Sequence, residues 1–250
     1  MSGAAPVAGS PEARERLIFA LDVPDATKAA WFASLLANEV GYFKVGLELF
    51  AAAGPSIVRE MVERGARVFL DLKLHDIPET VGRTVAVLGS LGVSLLTVHT
   101  AGGPAMLREA QRAAQAAPTP IRLLGVTALT SLDGADLRAV GVDLTVRDLV
   151  MKRAALARDQ GLGGVVTSVS EAEAVRLMAP EPFFVVTPGI RPAGAEAGDQ
   201  KRTGTPAAAL GAGASHLVVG RPIRDAADPA EAARAIVAEM AEALRGRSPV

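Results

Sequence analysis

Two patterns of apolar positions alternate along the chain. Short apolar runs at 17–22, 42–46, 67–72, 94–98, 121–126, 164–167, 183–186 and 216–219 read as buried strands. Between them, apolar residues recur at helical spacing over 26–38, 53–64, 78–91, 104–116 and 145–160, with a shorter helix at 134–140 in a long loop. Ser170-Glu171-Ala172-Glu173 has the spacing of a capping box and opens the helix after the sixth strand, and Asp228-Pro229-Ala230-Glu231 opens a last helix ending near Leu244. Strands and helices that alternate at this spacing form right-handed βαβ units on a parallel sheet. Eight such units predict closure into a single-domain (β/α)8 TIM barrel. The competing architecture is an open doubly wound sheet, but no G-x-G-x-x-G follows the first strand.

A chain of 250 residues, half of them hydrophobic, suffices for the core of one such barrel. Its net charge of −1, with no basic block and no interleaved aromatic stripe, argues against nucleic acid as a partner. The absence of Cys rules out disulfides, thiol catalysis and cysteine-ligated metal, and fits a cytoplasmic protein. Residues 1–16 are small, Pro-containing and mixed in charge, without the apolar core of a signal peptide. We expect a disordered lead-in there and the catalytic barrel over 17–250. No apolar stretch reaches the roughly 18 residues that imply a membrane span.

Chemistry concentrates in Val68-Phe69-Leu70-Asp71-Leu72-Lys73-Leu74-His75-Asp76-Ile77-Pro78-Glu79-Thr80. An apolar strand run gives way there to alternating charged and apolar residues, and residues two apart in a strand share a face, so Asp71 and Lys73 project the same way. Asp76 follows once the strand pattern has broken, and Pro78 supplies a fixed φ for a first helical turn. Crowded charges cost desolvation energy unless they pair, so the plain alternative is a solvated ion-pair cluster at a strand end. The other predicted strands end in Asp22, Lys44, His99, 127–131, Thr167, 188–191 and Gly220 with Arg221, and a barrel gathers those C-terminal ends at one mouth. Only five of the 26 basic residues are Lys. Two of these, Lys44 and Lys73, lie at predicted strand ends, where an ammonium can give up a proton and a guanidinium cannot. Gly189-Ile190-Arg191 and Val219-Gly220-Arg221 place guanidiniums after the seventh and eighth strands, where this fold often binds phosphate. Between them, 194–204 is rich in Gly and charge, the composition of a lid over an anion; an ordinary surface loop is the alternative.

The stretches Leu21-Asp22-Val23, Phe43-Lys44-Val45-Gly46, Asp71-Leu72-Lys73-Leu74-His75-Asp76-Ile77-Pro78, Val126-Thr127-Ala128-Leu129-Thr130-Ser131, Pro188-Gly189-Ile190-Arg191, Gly198-Asp199-Gln200-Lys201-Arg202 and Val219-Gly220-Arg221 follow in an order that resembles the orotidine 5'-phosphate decarboxylase family. The resemblance spans Leu17 to Ile223. It implies decarboxylation of orotidine 5'-phosphate to UMP and carbon dioxide in pyrimidine biosynthesis, without metal or other cofactor. By the same resemblance Lys73 stabilises a C6 carbanion and then protonates it, Asp71 lies beside the substrate carboxylate, and Lys44 and Asp76 complete an alternating Lys-Asp array. Asp22 and Lys44 are expected at the ribose hydroxyls, Thr130 at the pyrimidine edge, and Arg191, Gln200, Gly220 and Arg221 at the 5'-phosphate. Asp76 and Thr80 are expected to enter the site of the partner in a homodimer.

Two other functions compete. Related magnesium-dependent sugar-phosphate decarboxylases and aldolases share D-x-K-x-x-D but lack the Lys of Phe43-Lys44-Val45-Gly46, and a non-catalytic nucleotide-binding module has no use for intact Lys44, Asp71, Lys73 and Asp76. Asp71, His75 and Asp76 have the chemistry of metal ligands, but Lys73 among them repels a cation. His99 ends a strand and reads as a hydrogen-bonded core histidine, while His216 begins one at the opposite face and reads as structural. Trp31 and Tyr42 read as packing residues.

Overall fold

The computed structural model describes residues 10–192 and 203–246. Eight strands, β1 (Leu17–Ala20), β2 (Tyr42–Gly46), β3 (Val68–Leu74), β4 (Leu95–His99), β5 (Arg122–Val126), β6 (Gly164–Val166), β7 (Phe184–Thr187) and β8 (His216–Val219), pair in parallel in chain order. β8 returns to β1 through Leu17↔Leu217, Ile18↔Val218 and Phe19↔Val219, which closes the barrel. Outside it run α1 (Pro11–Glu15), α2 (Ala26–Leu35), α3 (Leu47–Glu63), α4 (Pro78–Gly89), α5 (Gly103–Gln115), α6 (Gly134–Ala139), α7 (Val146–Asp159), α8 (Val169–Met178), α9 (Pro206–Gly211), α10 (Arg221–Arg224) and α11 (Pro229–Arg245). The single-domain (β/α)8 barrel expected from the alternation is the observed fold.

Period-2 alternation divides the apolar residues into two shells. Ile18, Ala20, Tyr42, Phe69, Leu95, Leu124, Val186 and Val218 fill the barrel interior. Their neighbours, including Leu17, Phe19, Phe43, Val45, Leu70, Leu96, Val165 and Leu217, face outward into a larger core under the helices. Phe19 anchors that outer core, 5.2 Å from Phe32 of α2 and 6.4 Å from Phe43 between ring centroids.

Local chemistry explains where several boundaries depart from expectation. α3 starts at Leu47 rather than residue 53 because Gly54, at φ 64°, breaks it into two segments and Pro55 starts the second; the helical period restarts there. The first helical residue of α8 is Val169 and its N-cap is Ser168, whose hydroxyl donates to Glu171, so the Ser-x-x-Glu pair in use lies two residues before the expected one. α9 and α10, of six and four residues, are too short to show a period and were not expected. The disordered lead-in needs correction over its last residues. α1 forms there, Ala13 is fully buried, and a Cβ on Gly41 would overlap the Glu15 carbonyl oxygen at 2.3 Å. Residues 1–9 lie outside the described residues. Trp31 departs from the packing role expected of it: it is 53% exposed, with its ring centroid 4.7 Å from that of Phe32.

Candidate active site

The strand period carries polar residues from the interior to the C-terminal rim. Two positions beyond an inward-facing apolar residue stands a site residue: Asp22 after Ala20, Lys44 after Tyr42, Asp71 after Phe69, Thr97 after Leu95 and Gly220 after Val218. Lys44 Nζ lies 2.9 Å from Asp22 Oδ1 and 3.9 Å from Asp71 Oδ2, and Lys73 Nζ lies 2.9 Å from Asp71 Oδ1. The row Asp22, Lys44, Asp71, Lys73 therefore alternates in sign. Its central members are the drier ones, with Lys44 and Asp71 side chains 12% and 14% exposed against 48% for Asp22 and 33% for Lys73. Charges removed from water to that degree depend on their partners. Gly46 leaves the space this needs, since a Cβ there would sit 3.0 Å from Lys44 Nζ.

Asp71 and Lys73 do meet as expected, but not on a regular strand. Pairing between β3 and β4 shifts between Leu70 and Leu74, and Lys73 has φ 52°. Strained backbone of this kind persists where surrounding contacts hold it. The contact is Thr97, whose Oγ1 accepts from the Lys73 N–H at 2.8 Å and donates to Asp71 Oδ1 at 3.0 Å.

Asp22, Lys44, Asp71, Lys73, Thr130, Arg191, Gly220 and Arg221 all line one cavity of about 490 Å³. Ala20, Phe69, Val126, Val166 and Val218 give it an apolar floor, so it presents hydrophobic side chains from the barrel interior beside the charged row. Arg191 reaches it from the loop after β7, and Arg221 from the first position of α10 after β8. Gly189, at φ 78°, makes the turn before Arg191. The base of the segment expected to form a lid is fixed: Ile190 bridges to Gly204, and the Arg191 N–H donates to the Gly204 carbonyl at 3.0 Å. Gln200, with most of that segment, lies outside the described residues.

Two predicted site residues are not brought into the cavity of their own chain. Asp76 and Thr80 are exposed beyond the end of β3, and Asp76 Oδ1 accepts the Ile77 N–H at 2.6 Å. Arg224 lines the cavity and was missed. It donates to the Asp22 carbonyl at 2.9 Å and pairs with Asp225 at 2.6 Å, and its approach to Asp22 follows only from closure of β8 on β1. Thr97 was also missed, although its place two residues after inward-facing Leu95 was a usable signal.

His99 is half-buried beside the site. Its Nδ1 accepts the Ala101 N–H at 3.2 Å, and its ring stacks on His75 at 5.2 Å and 17°. Burial chiefly, then the positive charges of Arg153, His75 and Lys73, lower its pKa to about 4, so it is neutral at physiological pH. Among the described residues no group of three or more His, Asp or Glu is arranged to hold a metal ion.

Fold and site together define a class: a barrel enzyme with an alternating carboxylate and ammonium row at the mouth and guanidiniums after its last two strands. The chain belongs to the Orotidine 5'-phosphate decarboxylase / HUMPS family, whose model matches residues 15–236. It is 51% identical over 235 residues to orotidine 5'-phosphate decarboxylase of Moorella thermoacetica, covering 91% of this chain and 93% of that one. It is 53% identical over 225 residues to the enzyme of the same name from Anaeromyxobacter sp., with 90% and 97% covered. The crystal structure of orotidine 5'-phosphate decarboxylase from Lactobacillus acidophilus superimposes with a TM-score of 0.81 at 36% identity, over 90% of this chain and 98% of that one.

Proposed function

We propose that the chain catalyses decarboxylation of orotidine 5'-phosphate to UMP and carbon dioxide in pyrimidine biosynthesis, and that the Asp22–Lys44–Asp71–Lys73 row is its reaction centre. The observation that carries this reading is the row itself, with ammonium nitrogens 2.9 and 3.9 Å from the Asp71 carboxylate above an apolar floor. Breaking the bond between C6 and the carboxylate leaves an electron pair in the plane of the pyrimidine ring, where the ring π-system cannot accept it. A fixed cation must stabilise that pair, and preorganised charge in a poorly solvated site does so without reorganising at the moment of reaction. Lys73 supplies the cation and then donates its proton to C6; solvent restores the ammonium. As written, the reaction needs no metal or other cofactor. Asp71 stands beside the departing carboxylate and, 2.9 Å from the Lys73 ammonium, keeps Lys73 aimed.

Asp22 and Lys44 take the ribose hydroxyls and Thr130 the pyrimidine edge. Arg191, Arg221, Gln200 and the Gly220 backbone hold the 5'-phosphate. Phosphate binding, remote from C6, is best used to organise the site. Asp76 and Thr80 complete the neighbouring site of a homodimer; their exposure and absence from their own chain's cavity favour this. The substrate is a small phosphate ester that does not cross membranes, so the reaction belongs in the cytoplasm where such esters are made. Among the described residues no helix is long and apolar enough to cross a membrane.

The test is loss of orotidine 5'-phosphate absorbance by purified protein in EDTA, beside Lys73→Ala. Turnover in the wild type and its collapse in the variant support the reading. No turnover in EDTA, with activity on a sugar phosphate once magnesium is added, would move the chain to the other branch of its family.

A further inference from the structure

Resting on that reading, we propose that Thr97 is a positioning residue for the Asp71–Lys73 pair. β3 and β4 are in register at Leu70↔Leu96 and again at Leu74↔Val98, so four steps along β3 face two along β4. The surplus forms a bulge, and within it Lys73 takes φ 52°, the one non-glycine positive φ among the described residues. A bulge of this kind takes a backbone N–H out of the strand ladder, and a buried N–H needs another acceptor.

Thr97 supplies it. The residue is fully buried, and its Oγ1 accepts the Lys73 N–H at 2.8 Å. Since an N–H only donates, the hydroxyl's own proton is available to Asp71 Oδ1, 3.0 Å away. The same Oδ1 accepts from Lys73 Nζ at 2.9 Å. One hydroxyl thus joins the backbone of the lysine to the carboxylate that holds its ammonium, and the three hydrogen bonds close a ring through the Lys73 side chain. Two donors on Oδ1 fix the carboxylate plane, with Oδ2 left toward Lys44 Nζ at 3.9 Å. Two residues further along β4, His99 stacks on His75, the residue after the end of β3. Thr97 is not part of the cavity lining; it acts through Asp71 and Lys73.

Thr97→Val keeps the branched shape and removes the hydroxyl, whereas Thr97→Ser keeps the hydroxyl and removes the methyl. With orotidine 5'-phosphate, Thr97→Val should lower kcat about 10- to 100-fold with KM within about threefold of wild type, and Thr97→Ser should restore most of the loss. Exchange of the Lys73 amide proton, followed by NMR in the free protein, should accelerate roughly tenfold or more in Thr97→Val and not in Thr97→Ser. Wild-type kcat in Thr97→Val overturns the proposal, and so does equal loss in both variants, which would assign the effect to packing of the methyl. If the wild type itself fails to turn over this substrate, the decarboxylase reading falls and amide exchange decides alone. An unchanged Lys73 rate then overturns the positioning role, and a faster one upholds it.

Discussion

His216 provides a test of whether the barrel separates stability at one end from chemistry at the other. It begins β8 at the face opposite the cavity, 7% exposed, with its ring centroid 4.1 Å from that of Phe184 and 5.7 Å from that of Tyr42. Nδ1 lies 3.0 Å from Ser215 Oγ, and Arg67 and Arg122 cover the Tyr42 and Phe184 rings at 4.3 and 3.9 Å. Burial first, then the charges of Arg16, Arg122, Arg67 and Arg176, lower its pKa from 6.5 to about 3. A group that titrates lower when folded binds fewer protons in the native state than in the unfolded one. Stability is therefore lost as pH falls below the unfolded value, and nothing is lost above it. At pH 5 the unfolded histidine is about 1.5 units below its pKa while the folded one is still neutral, which at about 1.4 kcal/mol per unit makes about 2 kcal/mol. His216→Gln removes the titration and leaves a polar side chain beside Ser215. Urea unfolding of wild type and variant at pH 8 and pH 5, at one protein concentration, gives each protein's loss between the two, and the packing cost of the substitution cancels in that difference. The variant's loss should be smaller by about 2 kcal/mol, with turnover at pH 8 unchanged because His216 is remote from the cavity. Equal losses in the two proteins would refute the reasoning.

Two further outcomes concern the site itself. Lys44→Met keeps the apolar stem and removes the ammonium between Asp22 and Asp71, so kcat/KM for orotidine 5'-phosphate should fall roughly 100-fold or more, about 3 kcal/mol, and a loss under about threefold would exclude Lys44 from the reaction centre. Lys73→Ala and Asp76→Asn should each be inactive alone. Co-expressed at equal levels, they should recover about a quarter of wild-type activity, because a mixed dimer holds one intact site; no recovery would show that Asp76 does not serve the neighbour.

Much of the site was legible because its residues sit at strand ends, where one period-2 rule places them. Asp22, Lys44, Asp71 and Gly220 each follow an inward-facing apolar residue by two positions. Thr97 obeys the same rule, yet nothing local marks a single Thr in an apolar run as a hydrogen-bond junction. The bulge at Lys73 was invisible for a related reason: it is a mismatch between two strands, and neither strand carries it alone. Arg224 meets Asp22 across 202 positions of chain, a contact no local pattern encodes.

Local sequence by itself determined the alternation of strand and helix, hence the parallel barrel, its C-terminal mouth and the charged residues available there. Steric period and turn chemistry act over a few residues and are written in the chain directly. Tertiary structure decided which of those charges touch. It placed Lys44 between Asp22 and Asp71, put Lys73 in a left-handed backbone held by Thr97, turned Asp76 and Thr80 outward, and folded the segment at Ala13 onto the barrel. Register between neighbouring strands and the closing contact of β8 on β1 set those distances, and both arise from packing the whole barrel at once.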